Sequence, residues 1–187
     1  MKVLGISGSL RRDSYNTKLL RAAEELLPFG VELEIWDGLK TIPPFDEDDE
    51  LGPEHEAVAS LRGAVAGADA ILVATPEYNH SIPGQLKNAV DWLSRPFDTT
   101  PLRGKPALVV GASTGAFGAV WSQAELRKVL AAAGARVVEG ELAVGHAPEK
   151  FDESGELIAE ELLEEYRDAI QLLMTEIAPV RPIALTF

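Results

Sequence analysis

Cysteine is absent from this 187-residue chain. Without a thiol there is no disulfide scaffold, no zinc ribbon, no iron–sulfur cluster and no cysteine nucleophile. Long apolar runs are missing too. None approaches the ~20 residues needed to span a bilayer. The apolar stretch after Met1-Lys2 is too short for the core of a secretion signal. A cytoplasmic protein with no membrane partner is therefore expected, and the lack of cysteine agrees with a reducing compartment. Positive charge is scarce, the formal net charge being −13. A nucleic-acid binder needs a basic face, so nucleic acid is not an expected partner. His55, His80 and His146 lie far apart, without metal-ligand spacing, so no metal is expected. No G-x-S-x-G elbow is present, which leaves serine hydrolase chemistry unsupported.

What is present is a chain that is 46% hydrophobic, enough for a core without metal or disulfide staples. Its length suits one domain, taken as 1–187 with a tail at 178–187. The acidity is uneven. Residues 32–56 hold ten acidic residues against Lys40 alone, and 149–168 hold nine against Lys150 and Arg167. Residues 1–30 instead carry Lys2, Arg11, Arg12, Lys18 and Arg21 against Asp13, Glu24 and Glu25. The acidic stretches read as solvated surface. The locally positive beginning calls for a chemical reason.

Periodicity gives the organisation. Lys2–Ser7 reads as a buried strand. A helical stripe of Leu19, Leu20, Ala23, Leu26 and Leu27 follows Ser14. Val31–Trp36 alternates apolar and acidic residues, as a strand near an edge does. A long acidic, proline-rich connection covers 37–53. A helix at 54–67, the apolar strand Ala70–Ala74 and a helix from about Pro83 come next. Pro106–Val110 reads as a fourth strand ending at Gly111. A helix over 118–133 is expected to turn Val120, Ala124, the Arg127 stem and Leu130 to one side. Arg136–Val138 opens a fifth strand, and a last helix covers 155–177. Such alternation means a doubly wound parallel sheet with helices on both faces. Five strands of this length suit the flavodoxin-like order 2-1-3-4-5.

In such sheets ligands bind beyond the carboxyl ends of the strands, where the strand order reverses. Three loops converge there. The first, Gly8 to Thr17, offers hydroxyls, an amide, two guanidinium groups and the N–H groups of a helix start, an anion site. Neither G-x-x-x-x-G-K-S/T nor G-x-G-x-x-G is present, so a monophosphate suits it better than a pyrophosphate. The same residues also make an ordinary turn with Ser14 as N-cap. The second loop, Thr75 to Gly84, holds Pro76, Tyr78 and Asn79, a surface for a flat heterocycle or a proline-punctuated surface loop. The third, Gly111 to Gly118, has three glycines whose backbone can approach a ligand closely or simply flex.

Together the stretches GSLRRDSYNT (8–17), TPEYNHSIPGQLKNAVDW (75–92) and GASTGAFGAVWSQAELRKVL (111–130) resemble the NADPH-dependent FMN reductase family of quinone, azo and chromate reductases. The likeness runs from the first strand to about residue 140. It implies FMN as cofactor, its phosphate on Ser9, Arg11, Ser14 and Asn16. Its ring would lie against Pro76, Glu77, Tyr78 and Asn79, with Ser113, Thr114, Gly115 and Gly118 on the pyrimidine side. The family's third loop often ends in paired glycines; here Ala119 follows Gly118. The resemblance further implies a homodimer or homotetramer, with Lys87, Asp91 and Trp92 facing the partner chain. The implied activity is ping-pong transfer of two electrons by hydride, from NADPH or NADH through FMN to a small acceptor. Arg12 is the candidate for the 2′-phosphate of NADPH. No protein residue is named as catalytic. Two other readings share the fold: a flavodoxin-type electron carrier that docks a protein partner, and a flavodoxin-like binding module without redox turnover.

Overall fold

The computed structural model describes residues 1–177. The tail expected at 178–187 lies outside the described residues. In chain order the elements are β1 (Lys2–Ser7), α1 (Tyr15–Leu26), β2 (Glu32–Trp36), α2 (Glu47–Glu50), α3 (Glu56–Gly67), β3 (Ala70–Ala74) and α4 (Gly84–Leu93). They continue with β4 (Pro106–Ala112), α5 (Val120–Ala132), β5 (Arg136–Val137), β6 (Ala143–Val144) and α6 (Glu160–Ile177). The sheet runs β2-β1-β3-β4-β5, and β6 also pairs with β4. Every pairing is parallel. This is the expected order and fold class.

The period of two along the central strands sorts their side chains into two cores. Leu4, Ile6, Ile71, Val73, Ala107 and Val109 face α3, α4 and α5. Val3, Ala70, Leu72, Ala74, Leu108 and Val110 face α1 and α6. Both faces are covered, so β3 and β4 are buried along their whole length. That is why they read as continuous apolar runs rather than alternating ones. Each fully buried Leu, Ile or Val contributes roughly 1.5–3 kcal/mol relative to exposure.

Four local expectations change. The fifth strand is split: Arg136–Val137 pairs with Pro106–Ala107, and Ala143–Val144 pairs with Gly111–Ala112. Partnership with β6 carries β4 through Ala112, beyond the expected end at Gly111. The last helix starts at Glu160, because Phe151 and Leu157 bridge across an Asp152 turn first. In α5 the inward residues are Ser122, Gln123, Leu126 and Leu130, whereas Val120 and Ala124 are exposed. The helix is turned so that two polar residues reach buried partners. Ser122 Oγ meets Thr75 Oγ1 at 2.9 Å, and Gln123 Nε2 donates to Gly118 O at 2.9 Å.

The 37–53 connection is anchored by α4. Gln85 Nε2 donates to Leu39 O and Ile42 O, and Asn88 Nδ2 and Trp92 Nε1 both donate to Pro43 O. Trp92 is only 4% exposed and packs edge-on against Phe45 at 5.0 Å. It therefore holds this connection in place and leaves little of its own surface for the partner chain that the resemblance implied. Among the described residues no helix is long and apolar enough to cross a membrane.

Candidate functional site

A cleft lies beyond the carboxyl ends of β1, β3 and β4. Nine of the twelve sequence-predicted residues line it: Ser9, Arg11, Ser14 and Asn16 from the first loop, Pro76, Glu77 and Tyr78 from the second, and Ser113 and Thr114 from the third. Tyr15 and Ala112 complete the wall. Asn79, Gly115 and Gly118 do not line it.

The first loop is built locally. Ser14 has extended backbone, and its Oγ accepts from Asn16 N at 3.2 Å and Thr17 N at 3.4 Å, capping α1. Accepting two N–H groups leaves its own hydroxyl proton free to be donated. Ser9 Oγ accepts from Arg11 N at 3.4 Å, which likewise leaves its proton free. The N–H groups of Leu10 and Arg12 meet no protein acceptor among the described residues. Asp13 is paired with Lys18 at 2.7 Å. That hydrogen bond, then the charge of Lys18, hold the Asp13 carboxyl below its ordinary range, with a smaller contribution from Arg11. The loop's one acid is thus matched by a lysine of α1. Arg11 and Arg12 have no ion-pair partner among the described residues. Free hydroxyl protons, free N–H groups and unpaired guanidinium groups at a helix start fit a phosphate monoester.

Asn16 has a different part. It is buried, and its amide makes both bonds to Ala112 at 3.0 Å, Nδ2 donating to the carbonyl and Oδ1 accepting from the N–H. The side chain borders the cleft, but its polar atoms clamp α1 to the end of β4.

The ring end is built from contacts distant in sequence. Tyr78 and Ser81 exchange backbone hydrogen bonds around Asn79 and His80, which both take left-handed φ, 55° and 58°. This is a two-residue hairpin turn in which glycine is usual. Its rim is aromatic. His80 meets Trp121 edge-on at 4.6 Å, and Phe117 meets Trp121 at 5.0 Å. The third loop is laced to the segment after β5: Ser113 N donates to Val144 O, and Ala147 N donates to Ser113 O. The N–H groups of Thr114 and Gly115 find no protein acceptor among the described residues. Gly118 has φ +57°, and a Cβ there would stand 2.4 Å from Ala143 C. Only glycine allows β6 to close on this loop.

Sequence reasoning passed over Tyr15, whose ring packs on Phe151 at 5.5 Å with Lys18 Nζ 5.1 Å away. Its signal was its place between Ser14 and Asn16. Trp121 was missed because its partner His80 lies 41 positions back along the chain.

A larger, shallower groove runs between α4 and α5, with a cavity volume of about 530 Å³ against about 100 Å³ in the cleft. Lys87, Asp91, Glu125 and Lys128 line it. It lies on the flank of the helices and contains neither the arginine-bearing turn nor the carboxyl ends of the strands. The smaller cleft is the better anion and ring site.

A family model described as NADPH-dependent FMN reductase matches residues 1–149. An NAD(P)H-dependent FMN reductase of Pseudomonas aeruginosa is 43% identical over 176 residues, covering 92% of this chain and 94% of that protein. A quinone reductase of Escherichia coli K12 is 37% identical over 161 residues, covering 84% and 85%. Among solved structures, the flavoenzyme NAD(P)H:(acceptor) oxidoreductase FerB of Paracoccus denitrificans superposes with a TM-score of 0.82 at 30% identity, covering 94% of this chain and 96% of that one.

Proposed function

The chain belongs to the NADPH-dependent FMN reductase family, and from that premise we propose that the cleft holds FMN and serves ping-pong transfer of two electrons from NADPH or NADH to a small acceptor. The protein is an oxidoreductase of the flavin-reductase type. The chemistry that FMN supplies when bound is hydride uptake from the nicotinamide and release of two electrons to a quinone, flavin, azo compound or metal oxyanion. The relative named as a quinone reductase favours a quinone. One observation carries the assignment of the cleft: three loops at the carboxyl edge of the sheet converge there, one cationic and rich in free donors, one presenting Pro76 and Tyr78, and one presenting Ser113 and Thr114.

The residues divide the work. Ser9, Ser14 and Arg11 bind the phosphate, by hydroxyl protons and a guanidinium fork. Pro76 and Tyr78 border the ring. Thr114 offers its backbone N–H group to a carbonyl oxygen of the pyrimidine edge, with Ser113 beside it. Arg12, an unpaired cation beside the phosphate turn, receives the 2′-phosphate of NADPH. The open rim admits water, so solvent supplies protons and no protein acid is required. The α4–α5 groove bears charges of both signs, with Lys87 and Asp91 paired to each other at 2.7 Å, and a two-fold contact can exchange such pairs between copies. We place a second copy of the chain there, with Lys87 and Asp91 toward it; sedimentation of the native protein and of Lys87→Glu tests this.

The deciding experiment mixes the purified, FMN-loaded protein with NADPH or NADH without oxygen. Loss of the yellow flavin absorbance with no second enzyme present is the expected result, followed by its return on adding a quinone. Parallel lines in steady-state double-reciprocal plots test the ping-pong order. A bound flavin that the nicotinamide leaves oxidised would point to an electron carrier. A protein that takes up no FMN would point to a module without redox turnover.

A further inference from the structure

Glu77 stands in the second loop and borders the cleft, yet its carboxylate is engaged elsewhere. Oε2 accepts from Trp121 N at 3.1 Å and from Ser122 N at 3.2 Å. Those are N–H groups of the first turn of α5. Such groups have no partner within their own helix and are usually met by an N-cap side chain. Here the N-cap is Ala119, in left-handed conformation at φ 65°, with no side-chain oxygen to offer. The cap arrives instead from 44 residues earlier in the chain. A carboxylate is well suited to that place, because the helix N-terminus carries partial positive charge.

The same carboxylate has a second contact. Its Oε1 lies 3.3 Å from His80 Nδ1, and the Glu77 side chain is only 13% exposed. The His80 ring meets Trp121, and Ser81 Oγ donates to Glu125 Oε2 at 2.5 Å, so the hairpin meets α5 at further points. His80 occupies a left-handed turn position where a histidine is strained. Contacts made by its ring offset that strain.

We propose that Glu77 is a positioning residue that clasps the second loop to the first turn of α5, directly after the third loop, and so fixes the distance between the two walls of the ring end. Its effect on the flavin passes through the backbone of α5 and through His80. The proposal rests on the cleft being the FMN site, but the clasp itself is a property of the protein and is measurable without FMN.

The test uses Glu77→Ala and Glu77→Gln in the full chain. Amide hydrogen exchange, read by NMR on the purified protein, comes first. In Glu77→Ala, exchange at Trp121 and Ser122 should quicken about 10-fold or more, and at Tyr78 and Ser81 along with them. A residue that merely caps α5 would leave Tyr78 and Ser81 unchanged, and that result overturns the proposal. Glu77→Gln keeps an acceptor oxygen for α5 and an N–H₂ donor for His80, so it should restore protection both in the second loop and at the start of α5. A glutamine variant as loose as the alanine one overturns it too. FMN titration follows, read by the visible circular dichroism of the bound ring. Glu77→Ala should weaken FMN and alter that signal, with Glu77→Gln close to wild type. Wild-type affinity and an unchanged ring signal in Glu77→Ala also overturn the proposal. Failure of the wild type itself to bind FMN would instead sink the assigned function, while the exchange result still decides the clasp.

Discussion

The two ends of the cleft are built in opposite ways. The phosphate end is one contiguous turn, residues 8–17, that caps its own helix and leaves donors and guanidinium groups free. The ring end is three segments, 75–81, 113–122 and 143–147, held to one another by hydrogen bonds between them. A diffuse doubly charged group needs donors and positive potential, which ten residues can supply. A flat ring needs walls at a set separation, which only long-range contacts hold. Substitutions at the phosphate end should therefore change affinity, and those at the ring end should change stability first.

Gly118→Ala gives the sharpest contrast. The new Cβ would stand 2.4 Å from Ala143 C at a left-handed φ. Overpacking and strain together should cost about 3–5 kcal/mol, lowering Tm by roughly 6–20 °C in calorimetry. A loss under about 1 kcal/mol would show that β6 moves aside at little cost and that the ring end is not tightly built.

Asn16 lies between the two ends. Asn16→Ala leaves the Ala112 N–H and carbonyl buried without partners, which should cost about 2–4 kcal/mol in urea unfolding. Full stability with weakened FMN binding would make Asn16 a ligand rather than a clamp, and the comparison would need redrawing there.

Arg11→Ala should leave stability unchanged and weaken FMN by about 10-fold, the value of one exposed charge-assisted hydrogen bond. Riboflavin, which lacks the phosphate, should bind both proteins equally, and the difference for FMN should shrink as salt rises. Equal FMN affinity in a fluorescence titration would remove the phosphate end from the site.

The smallest effect is expected at His80. Glycine relieves a left-handed turn position by about 1 kcal/mol and forfeits an edge-on aromatic contact of similar size. His80→Gly should thus shift stability by under about 0.5 kcal/mol. A larger loss would mean that the His80 contacts with Glu77 and Trp121 dominate the turn.

Much of the architecture was legible because strand signals are local. Ala70–Ala74 reads as a buried strand from its five residues alone. The Ser14 cap needed only its neighbours. The inward face of α5 was not legible, since Ser122 and Gln123 look like surface residues until Thr75 Oγ1 and Gly118 O are brought to them. The role of Trp92 was hidden for the same reason, its partner Pro43 lying 49 residues away.

By itself the sequence determined the doubly wound sheet and the anion-seeking turn, because both follow from periodicity and chemistry within short stretches. Tertiary structure alone decided which polar groups remain free for a ligand. Asn16 and Glu77 carry the same functional groups whether they bind a cofactor or hold the backbone. Their partners, 96 and 44 residues away, settle the matter, since a hydrogen-bonding atom already satisfied inside the protein has little left to offer outside it.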